Sequence, residues 1–251
     1  MNYNCVLNFN LGTNLKLDQI SNYVFCDRRL NDFDFEIKLL PNPYYDYPFL
    51  IIKDFLSQTI CDDIIKSVKK EDDFIDAKIK KENYLNYTDK SIRKTKIYKL
   101  SDEYKNIYTK RFLECQKQIE EYFSLALTTS TKVQVLEYQE GSFYKAHSDD
   151  SNMIYKDEEL IGFKNVAINR KITTVLFASS CDEEKKEYNT FSGGELVFNF
   201  LFDEKGDVIK YKPKAGEMIV FLSNPYFTHE VLEVKSGYRL SLVQWHDALI
   251  S

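Results

Sequence analysis

Cysteine and histidine are both scarce in this chain of 251 residues. The five cysteines are scattered, odd in number and contain no Cys-x-x-Cys pair. This pattern argues against a disulfide framework or a zinc knuckle, so we expect reduced thiols in a cytoplasmic protein. With only three histidines in the chain, the position of each one is informative.

Long apolar runs and an excess of positive charge are also missing. No stretch approaches the ~18 apolar residues of a membrane span, and the N-terminus lacks the basic and apolar regions of a signal peptide. Lysine and arginine total 34 against 39 acidic residues, a net charge of −5. A general nucleic-acid surface is basic, so we expect neither a membrane nor a nucleic acid as partner.

The chain is long enough for one large domain, and its elements change type along its length. We predict an N-terminal arm of uncertain structure over 1–40, a helical support region over 41–130 and a catalytic core over 131–251. Apolar spacing predicts one helix after Ser57 and a longer one after Ser101.

Strands without intervening helices are predicted after residue 131, at 132–139, 171–179, 194–201, 217–222 and 237–245. Helices first and strands after indicate an α+β chain with an antiparallel sandwich or jelly roll. Two polar segments next to the predicted strands, 150–169 and 180–192, are interpreted as loops that act as lids.

Two of the three histidines fit a metal-site pattern. His147 and Asp149 are two residues apart, so on an extended segment they share a face. His229 must arrive from another strand, which a sandwich provides. Two histidines and one carboxylate leave open positions on non-haem Fe(II). We interpret the third histidine, His246, as a surface residue or a satisfied core residue.

The last predicted strand has an unusual face. Arg239, Ser241, Val243 and Trp245 alternate along it and therefore lie on the same side. An arginine can bind a carboxylate through two hydrogen bonds, and Ser241 can add a third. This face suits a ligand cavity. The alternative is a surface strand on which Arg239 pairs with an acidic side chain.

In these motifs the chain resembles the 2-oxoglutarate- and Fe(II)-dependent dioxygenases, most closely the prolyl 4-hydroxylase-like branch. The resemblance covers about 48–247 and is specific after 132. It implies a double-stranded β-helix core, related to the jelly roll and the cupins. The segments that carry it, in family order, are Gln134–Tyr138, Gly141–Asp149, Arg170–Thr173, Gly193–Leu196, Pro213–Gly216, Thr228–Val231 and Tyr238–Trp245.

The resemblance implies a role for each matching residue. His147, Asp149 and His229 would bind Fe(II), and Arg239 would pair with the distal carboxylate of 2-oxoglutarate. The other implied residues are those that bind the co-substrate (Tyr138, Thr173 and Ser241), those that flank the target residue (Tyr144 and Trp245) and a basic residue near the substrate entrance (Arg170).

Two positions refine the expected reaction. Phe177 stands where the family often has a tyrosine, which removes one hydrogen bond to the co-substrate. Asp149 favours hydroxylation, because halogenases of this fold have a small residue there.

We therefore expect a hydroxylase that uses O2 and 2-oxoglutarate, releases succinate and CO2, and has ascorbate as a further candidate cofactor. Its expected substrate is a prolyl or other residue in a peptide or protein. Three alternatives remain open: a hydroxylase of a free amino acid or small metabolite, a catalytically silent metal-binding module, and a cupin-like metal protein without the keto acid.

Overall fold

The computed structural model describes residues 16–35, 39–71, 73–76, 79–81, 84–87, 92–184 and 187–250. The helices are α1 (Gln58–Lys69) and α2 (Asp102–Phe123), with short 3-10 helices at Arg28–Asp32 and Pro225–Phe227. The strands in chain order are β1 (Leu17–Gln19), β2 (Phe25–Asp27), β3 (Leu50–Ile52), β4 (Ile75–Asp76), β5 (Ile79–Lys81), β6 (Tyr84–Tyr87), β7 (Arg93–Lys94), β8 (Lys96–Lys99), β9 (Leu125–Ser130), β10 (Gln134–Tyr138), β11 (Phe143–His147), β12 (Ser151–Lys156), β13 (Glu159–Asn165), β14 (Ile172–Phe177), β15 (Ser180–Cys181), β16 (Thr190–Gly193), β17 (Leu196–Phe202), β18 (Val208–Tyr211), β19 (Met218–Leu222), β20 (His229–Val231), β21 (Val234–Gly237) and β22 (Arg239–Ile250).

Two antiparallel sheets form the core. One has the order β1-β2-β17-β20-β11-β7, with β18 also paired to β17. The other has the order β3-β19-β14-β22-β10-β8-β4, with β9 also paired to β22. Neighbours in the sheets are distant in sequence, as in a jelly roll. The predicted α+β class with a double-stranded β-helix core is confirmed.

All five strands predicted in the second half are present, as β10, β14, β17, β19 and β22. Every residue of β14 and of β19 is buried, so these two strands are covered on both faces. On β14, the Tyr108 hydroxyl from α2 lies 3.3 Å from the Thr174 hydroxyl. Helix α2 thus packs against the face of the sheet opposite the sandwich interior.

Both predicted helices are confirmed. The Ser57 side chain caps α1 by accepting a hydrogen bond from the Ile60 amide. Helix α2 begins after Ser101 and ends at Ser124, whose φ of 52° is left-handed. The buried face of α2 repeats every three or four residues, as the apolar pattern predicts; it comprises Tyr108, Phe112, Cys115, Ile119 and Phe123. In the part of the chain that the structure describes, neither helix has both the length and the hydropathy of a membrane span.

The sheets extend across the boundary predicted at residue 131. Strand β2 pairs with β17, β3 with β19, β8 with β10 and β9 with β22. These N-terminal strands are three to six residues long, too short for a clear alternating pattern. Residues 1–15 and 36–38 of the predicted arm, including Cys5, lie outside the described residues. The domain boundaries stay a prediction.

The segment 150–169 was predicted as a loop, and this is wrong for most of its length. It contains the hairpin β12–β13, closed by Asp157 and Glu158 between the paired residues Lys156 and Glu159. Both turn residues have positive φ, of 50° and 67°. Two-residue hairpin turns of this kind usually contain Asn-Gly or Asp-Gly. Because neither turn residue is a glycine, the usual sequence signal for such a turn is missing here.

His246 is a core histidine with hydrogen-bond partners, the second of the two interpretations offered by the sequence. It is fully buried, with Nδ1 2.7 Å from the Ser130 hydroxyl and Nε2 3.1 Å from the Thr174 hydroxyl. Its ring stacks on Phe112 with 4.6 Å between centroids. Burial lowers the pKa of His246 to about 4, so the ring is neutral at pH 7.

We expect this buried imidazole to make the fold acid-sensitive. Between pH 6.5 and about 4 the unfolded chain binds a proton at His246 that the folded chain does not. The free energy of unfolding therefore falls as pH falls through this window, by up to about 3 kcal/mol. Urea unfolding across the window measures it. In His246→Gln the pH slope should flatten, and an unchanged slope would refute this role for His246.

Candidate active site

A cavity of about 1190 Å³ lies between the two sheets. Its walls come from β10, β11, β14, β20 and β22, with the hairpin β12–β13 on one side. All ten side chains predicted to be functional line it: Tyr138, Tyr144, His147, Asp149, Arg170, Thr173, His229, Arg239, Ser241 and Trp245. The tertiary fold thus brings together residues from five separate stretches of sequence.

Three of these side chains form a cluster with the composition of a metal site. His147 ends β11 and His229 begins β20, and the two residues are direct partners in the ladder. Asp149 follows two residues after His147, and the potential ligand atoms of all three lie within 4.8 Å of one another. The Asp149 carboxylate oxygens lie 3.8 Å from His147 Nε2 and 3.9 Å from His229 Nε2.

Hydrogen bonds outside the cluster orient both imidazoles. His147 Nδ1 lies 3.0 Å from the Lys145 carbonyl oxygen, and His229 Nδ1 lies 2.8 Å from that of Phe227. A carbonyl oxygen only accepts, so Nδ1 carries the hydrogen in each ring. The lone pair is then on Nε2, on the side of Asp149. This arrangement of outer partners is typical of metal-bound histidines.

The protonation states also suit a divalent cation. Burial and the neighbouring His229 lower the pKa of His147 to about 3, so its ring is neutral. Burial acts to raise the pKa of Asp149, but the two histidines and the Thr173 hydroxyl outweigh it and lower the pKa. Two imidazoles and one carboxylate fit Fe(II) and leave part of its coordination sphere open.

Thr173 contacts the metal cluster. Its hydroxyl donates to Asp149 Oδ2 at 2.7 Å and lies 2.7 Å from the Ser223 hydroxyl. The sequence predicted it on the wall that binds the co-substrate. The structure places it in the same cavity, but its hydrogen bond goes to the carboxylate ligand. Thr173 therefore orients Asp149.

We expect Thr173→Val to weaken metal binding by about 10- to 100-fold, the usual effect of removing an outer hydrogen bond to a ligand. Valine has nearly the same shape, so the cavity is kept. Competition with a chromophoric chelator measures the affinity. The matched control is Thr174→Val, because Thr174 lies on the opposite face of β14 and contacts His246. Equal effects of both changes would contradict the assignment.

Arg239 is a buried cation with no acidic partner among the residues that the structure describes. It is 1% exposed, and its Nε donates to the Gly194 carbonyl at 2.9 Å while Nη1 donates to the Ser241 hydroxyl at 3.2 Å. Burial lowers the pKa of Arg239. No carboxylate of the described residues forms an ion pair with it, so the alternative of a surface arginine paired with an acid is wrong. A buried guanidinium with unused donors is a site for an anion, above all a carboxylate.

Gly193 and Gly194 shape this anion site. Both have positive φ, 67° and 62°, which favours glycine. A Cβ on Gly194 would lie 2.9 Å from a methyl carbon of Val234 and 3.2 Å from Arg239 Cδ. Gly193 ends β16 and Gly194 follows it in the link to β17. The close approach of this link lets the Gly194 carbonyl accept the hydrogen bond from Arg239 Nε.

The remaining predicted residues form the walls around these two sites. Tyr138 lies with its ring centroid 4.7 Å from Arg239 Cζ. Tyr144 stacks on the His147 ring with 3.6 Å between centroids. Arg170 lies 4.0 Å above the Trp245 ring and donates to the Asp149 carbonyl at 2.9 Å. Their contacts with co-substrate and target residue stay predictions.

Sequence reasoning missed Arg93 and the hairpin residues Met153, Ile154 and Tyr155, which also line the cavity. Arg93 lies in a two-residue strand within a lysine-rich stretch, where no alternation marks it as inward-facing. The hairpin residues were missed because the segment was interpreted as a polar loop.

Comparison with known proteins agrees with this geometry. Residues 133–247 match the sequence model of the 2OG-Fe(II) oxygenase superfamily. A search of curated protein sequences finds no significant match. The fold is similar to that of a Trichoplax adhaerens prolyl hydroxylase in complex with a peptide fragment of the hypoxia inducible factor oxygen degradation domain. The two sequences are 19% identical, the match covers 79% of this chain and 83% of that chain, and the TM-score is 0.57.

Two microbial structures are similar to a comparable degree. A Pseudomonas putida prolyl-4-hydroxylase has 21% identity over 79% of this chain and 91% of that one, with a TM-score of 0.52. A viral collagen prolyl hydroxylase from Paramecium Bursaria Chlorella virus-1, in a 2OG complex, has 21% identity over 80% of this chain and 96% of that one, with a TM-score of 0.53. At these identities the likeness shows a shared fold.

Proposed function

We propose that this chain, whose residues 133–247 match the model of the 2OG-Fe(II) oxygenase superfamily, is a member of that superfamily and hydroxylates a prolyl residue in a peptide or protein. Membership and the His147, Asp149 and His229 cluster make it a 2-oxoglutarate-dependent dioxygenase. The single observation that carries the reaction class is the buried, unpaired Arg239 in the same cavity as this cluster.

The three clustered residues would hold Fe(II) through His147 Nε2, His229 Nε2 and the Asp149 carboxylate. When bound, Fe(II) would activate O2, which is the oxidant: one oxygen atom would enter a C–H bond of the substrate, and the other would enter the succinate that forms from 2-oxoglutarate with release of CO2. The Arg239 guanidinium and the Ser241 hydroxyl would bind the distal carboxylate of 2-oxoglutarate. A carboxylate there neutralises a buried cation, which favours this orientation of the co-substrate.

The chain also keeps the reacting region poor in water. The cavity lining includes the apolar side chains Leu136, Val175, Leu196, Val231 and Val243, which form no hydrogen bonds with water. Phe177, where the family often has a tyrosine, contributes only its ring, 5.5 Å from Arg239 Cζ. Co-substrate binding here therefore depends more heavily on Arg239 and Ser241.

The peptide substrate is supported by the size of the cavity and by the similar structures. A cavity of about 1190 Å³ is larger than 2-oxoglutarate needs. The Trp245 ring lines this cavity and offers a flat surface to a ring such as that of proline, whereas both faces of the Tyr144 ring are covered, by His147 and Arg93. The three similar structures are described as prolyl hydroxylases, and one of them holds a peptide fragment.

The test is to incubate the protein with Fe(II), 2-oxoglutarate and ascorbate, with proline-containing peptides in one arm and free amino acids in the other. We expect succinate to form together with peptide product heavier by one oxygen atom. Succinate coupled only to free amino acids would reject the peptide substrate, and failure to bind 2-oxoglutarate would reject the reaction class. Ascorbate dependence and a cytoplasmic location stay predictions.

A further inference from the structure

A second buried arginine, Arg93, lines the same cavity. It is 7% exposed, and its Nε is a buried donor with no hydrogen-bond partner. No carboxylate of the residues that the structure describes forms an ion pair with it. The contact that holds its guanidinium is the Tyr144 ring, whose centroid lies 4.3 Å from Arg93 Cζ.

Strand pairing puts Arg93 close to the metal cluster. Strand β7 pairs with β11, with Arg93 opposite Tyr144 and Lys94 opposite Phe143. Because side chains alternate along a strand, Arg93 faces the cavity and Lys94 is exposed. Tyr144 in turn stacks on His147. The guanidinium is thus separated from a metal ligand by one aromatic ring.

An unpaired donor in this position is costly to the fold. A buried donor without a hydrogen-bond partner destabilises the folded state, and a buried charge without a counter-ion destabilises it more. The cavity has two buried arginines, Arg93 and Arg239, for which the described residues provide no carboxylate partner. The co-substrate carboxylate accounts for Arg239, so Arg93 needs a second anion.

The charges around the cavity also favour an anionic ligand. Its ionisable lining includes four cations, Arg93, Lys164, Arg170 and Arg239, but one carboxylate, Asp149, which the metal uses. The whole chain has a net charge of −5, so this positive cavity contrasts with the rest of the protein. Such a cavity concentrates anionic ligands. Trp245 Nε1 is another buried donor there without a partner, which favours a ligand rich in acceptors.

We propose that Arg93 binds a carboxylate of the substrate, so that the enzyme selects targets with a carboxylate close to the hydroxylated residue. This inference deepens the proposed function and rests on it. The carboxylate has two sources: the α-carboxylate of a target residue at the C-terminus of a peptide, and the side chain of an Asp or Glu beside the target residue. The chemistry at Arg93 is the same for both.

The only tryptophan of the chain makes a direct binding test available. Trp245 lines the cavity, so its fluorescence reports on ligands that bind there. The protein is loaded with Mn(II) and saturating 2-oxoglutarate without oxygen, which fills the other anion site and prevents turnover. Two matched pairs of probes are titrated: acetylproline against acetylprolinamide, and acetyl-Pro-Asp-amide against acetyl-Pro-Asn-amide. A parallel set with alanine in place of proline makes the test independent of the target residue.

In at least one pair the acid should bind about 10- to 100-fold more tightly than its amide, as expected for hydrogen bonds to a charged group. Preference in the first pair identifies an α-carboxylate as the source, and preference in the second identifies a side chain. Equal binding of acid and amide in every pair, or no binding by any acid, would overturn the proposal.

Variants assign the preference to one residue. Arg93→Met should reduce the affinity for the acid to that of the amide and leave 2-oxoglutarate affinity unchanged. It should not lower the melting temperature, because it removes an unpaired buried charge, whereas a purely structural arginine would lower it. Lys94→Gln is the control, since it removes an exposed charge from the same strand and should change neither affinity. A preference that survives in Arg93→Met would reject the assignment.

The outcomes also separate this inference from the proposed function. A carboxylate preference in fluorescence without hydroxylated product would retain the Arg93 site and reject the hydroxylase. Hydroxylated product with equal binding of acids and amides would retain the hydroxylase and reject the Arg93 site.

Discussion

Replacing Arg239 by methionine is expected to remove most of the affinity for 2-oxoglutarate and leave the fold at least as stable. Loss of one partner from a buried, hydrogen-bonded charge pair costs about 2–5 kcal/mol, a weakening of roughly 30- to several-thousand-fold. In the free protein the same change removes a buried cation that has no carboxylate partner, which is neutral or stabilising. The opposite signs of the two effects distinguish an anion site from a structural arginine.

Thermal unfolding measures both effects in one experiment. 2-Oxoglutarate should raise the melting temperature of the metal-loaded wild type and have little effect on Arg239→Met. The visible charge-transfer band of the anaerobic Fe(II) and 2-oxoglutarate complex gives the affinity directly. Arg239→Lys keeps the charge but loses the two-pronged geometry, so we expect it to be intermediate. Binding within about threefold of wild type in Arg239→Met would refute the role assigned to Arg239.

Removal of a metal ligand is the second change with a very large expected effect. His147→Ala should reduce succinate formation below about a thousandth of wild type, well beyond the ~10- to 100-fold of an outer-shell change. The reason is that two remaining ligands hold the cation too weakly. Metal content after dialysis and succinate formation should be lost together.

The third histidine provides the matched control. His246→Gln changes the same residue type in the core, outside the cavity lining, and should retain metal and activity. If His147→Ala bound metal as tightly as His246→Gln, the cluster would not be the metal site.

Residue chemistry and spacing predicted the centre of the site. His147, Asp149 and His229 stand out because histidine is rare in this chain and because their donors match one ion. Arg239 stands out because a cation within an apolar alternating strand is unusual. In both cases the chemistry of the side chain allows few roles, so the role can be predicted without knowing which residues lie nearby in the fold.

Residue chemistry and spacing did not predict which side chains face the cavity where this depends on pairing with a distant strand. Thr173 and Thr174 are adjacent and chemically identical, yet one donates to Asp149 and the other contacts His246. Only the register of β14 against β22, where Thr173 lies opposite Trp245, decides which of them faces the cavity. Arg93 is inward for a similar reason, since its pairing with Tyr144 is a contact across the sheet.

The amino-acid sequence by itself therefore determined the class of fold, the ligand set and the anion-binding arginine, because these follow from local periodicity and side-chain chemistry. The tertiary structure alone decided that the short N-terminal strands complete the two sheets, that the hairpin β12–β13 borders the cavity, and that Arg93 reaches it unpaired. Those features arise from hydrogen bonds and packing between segments far apart in the chain. Short strands have too little local pattern for these features to be predicted from the sequence.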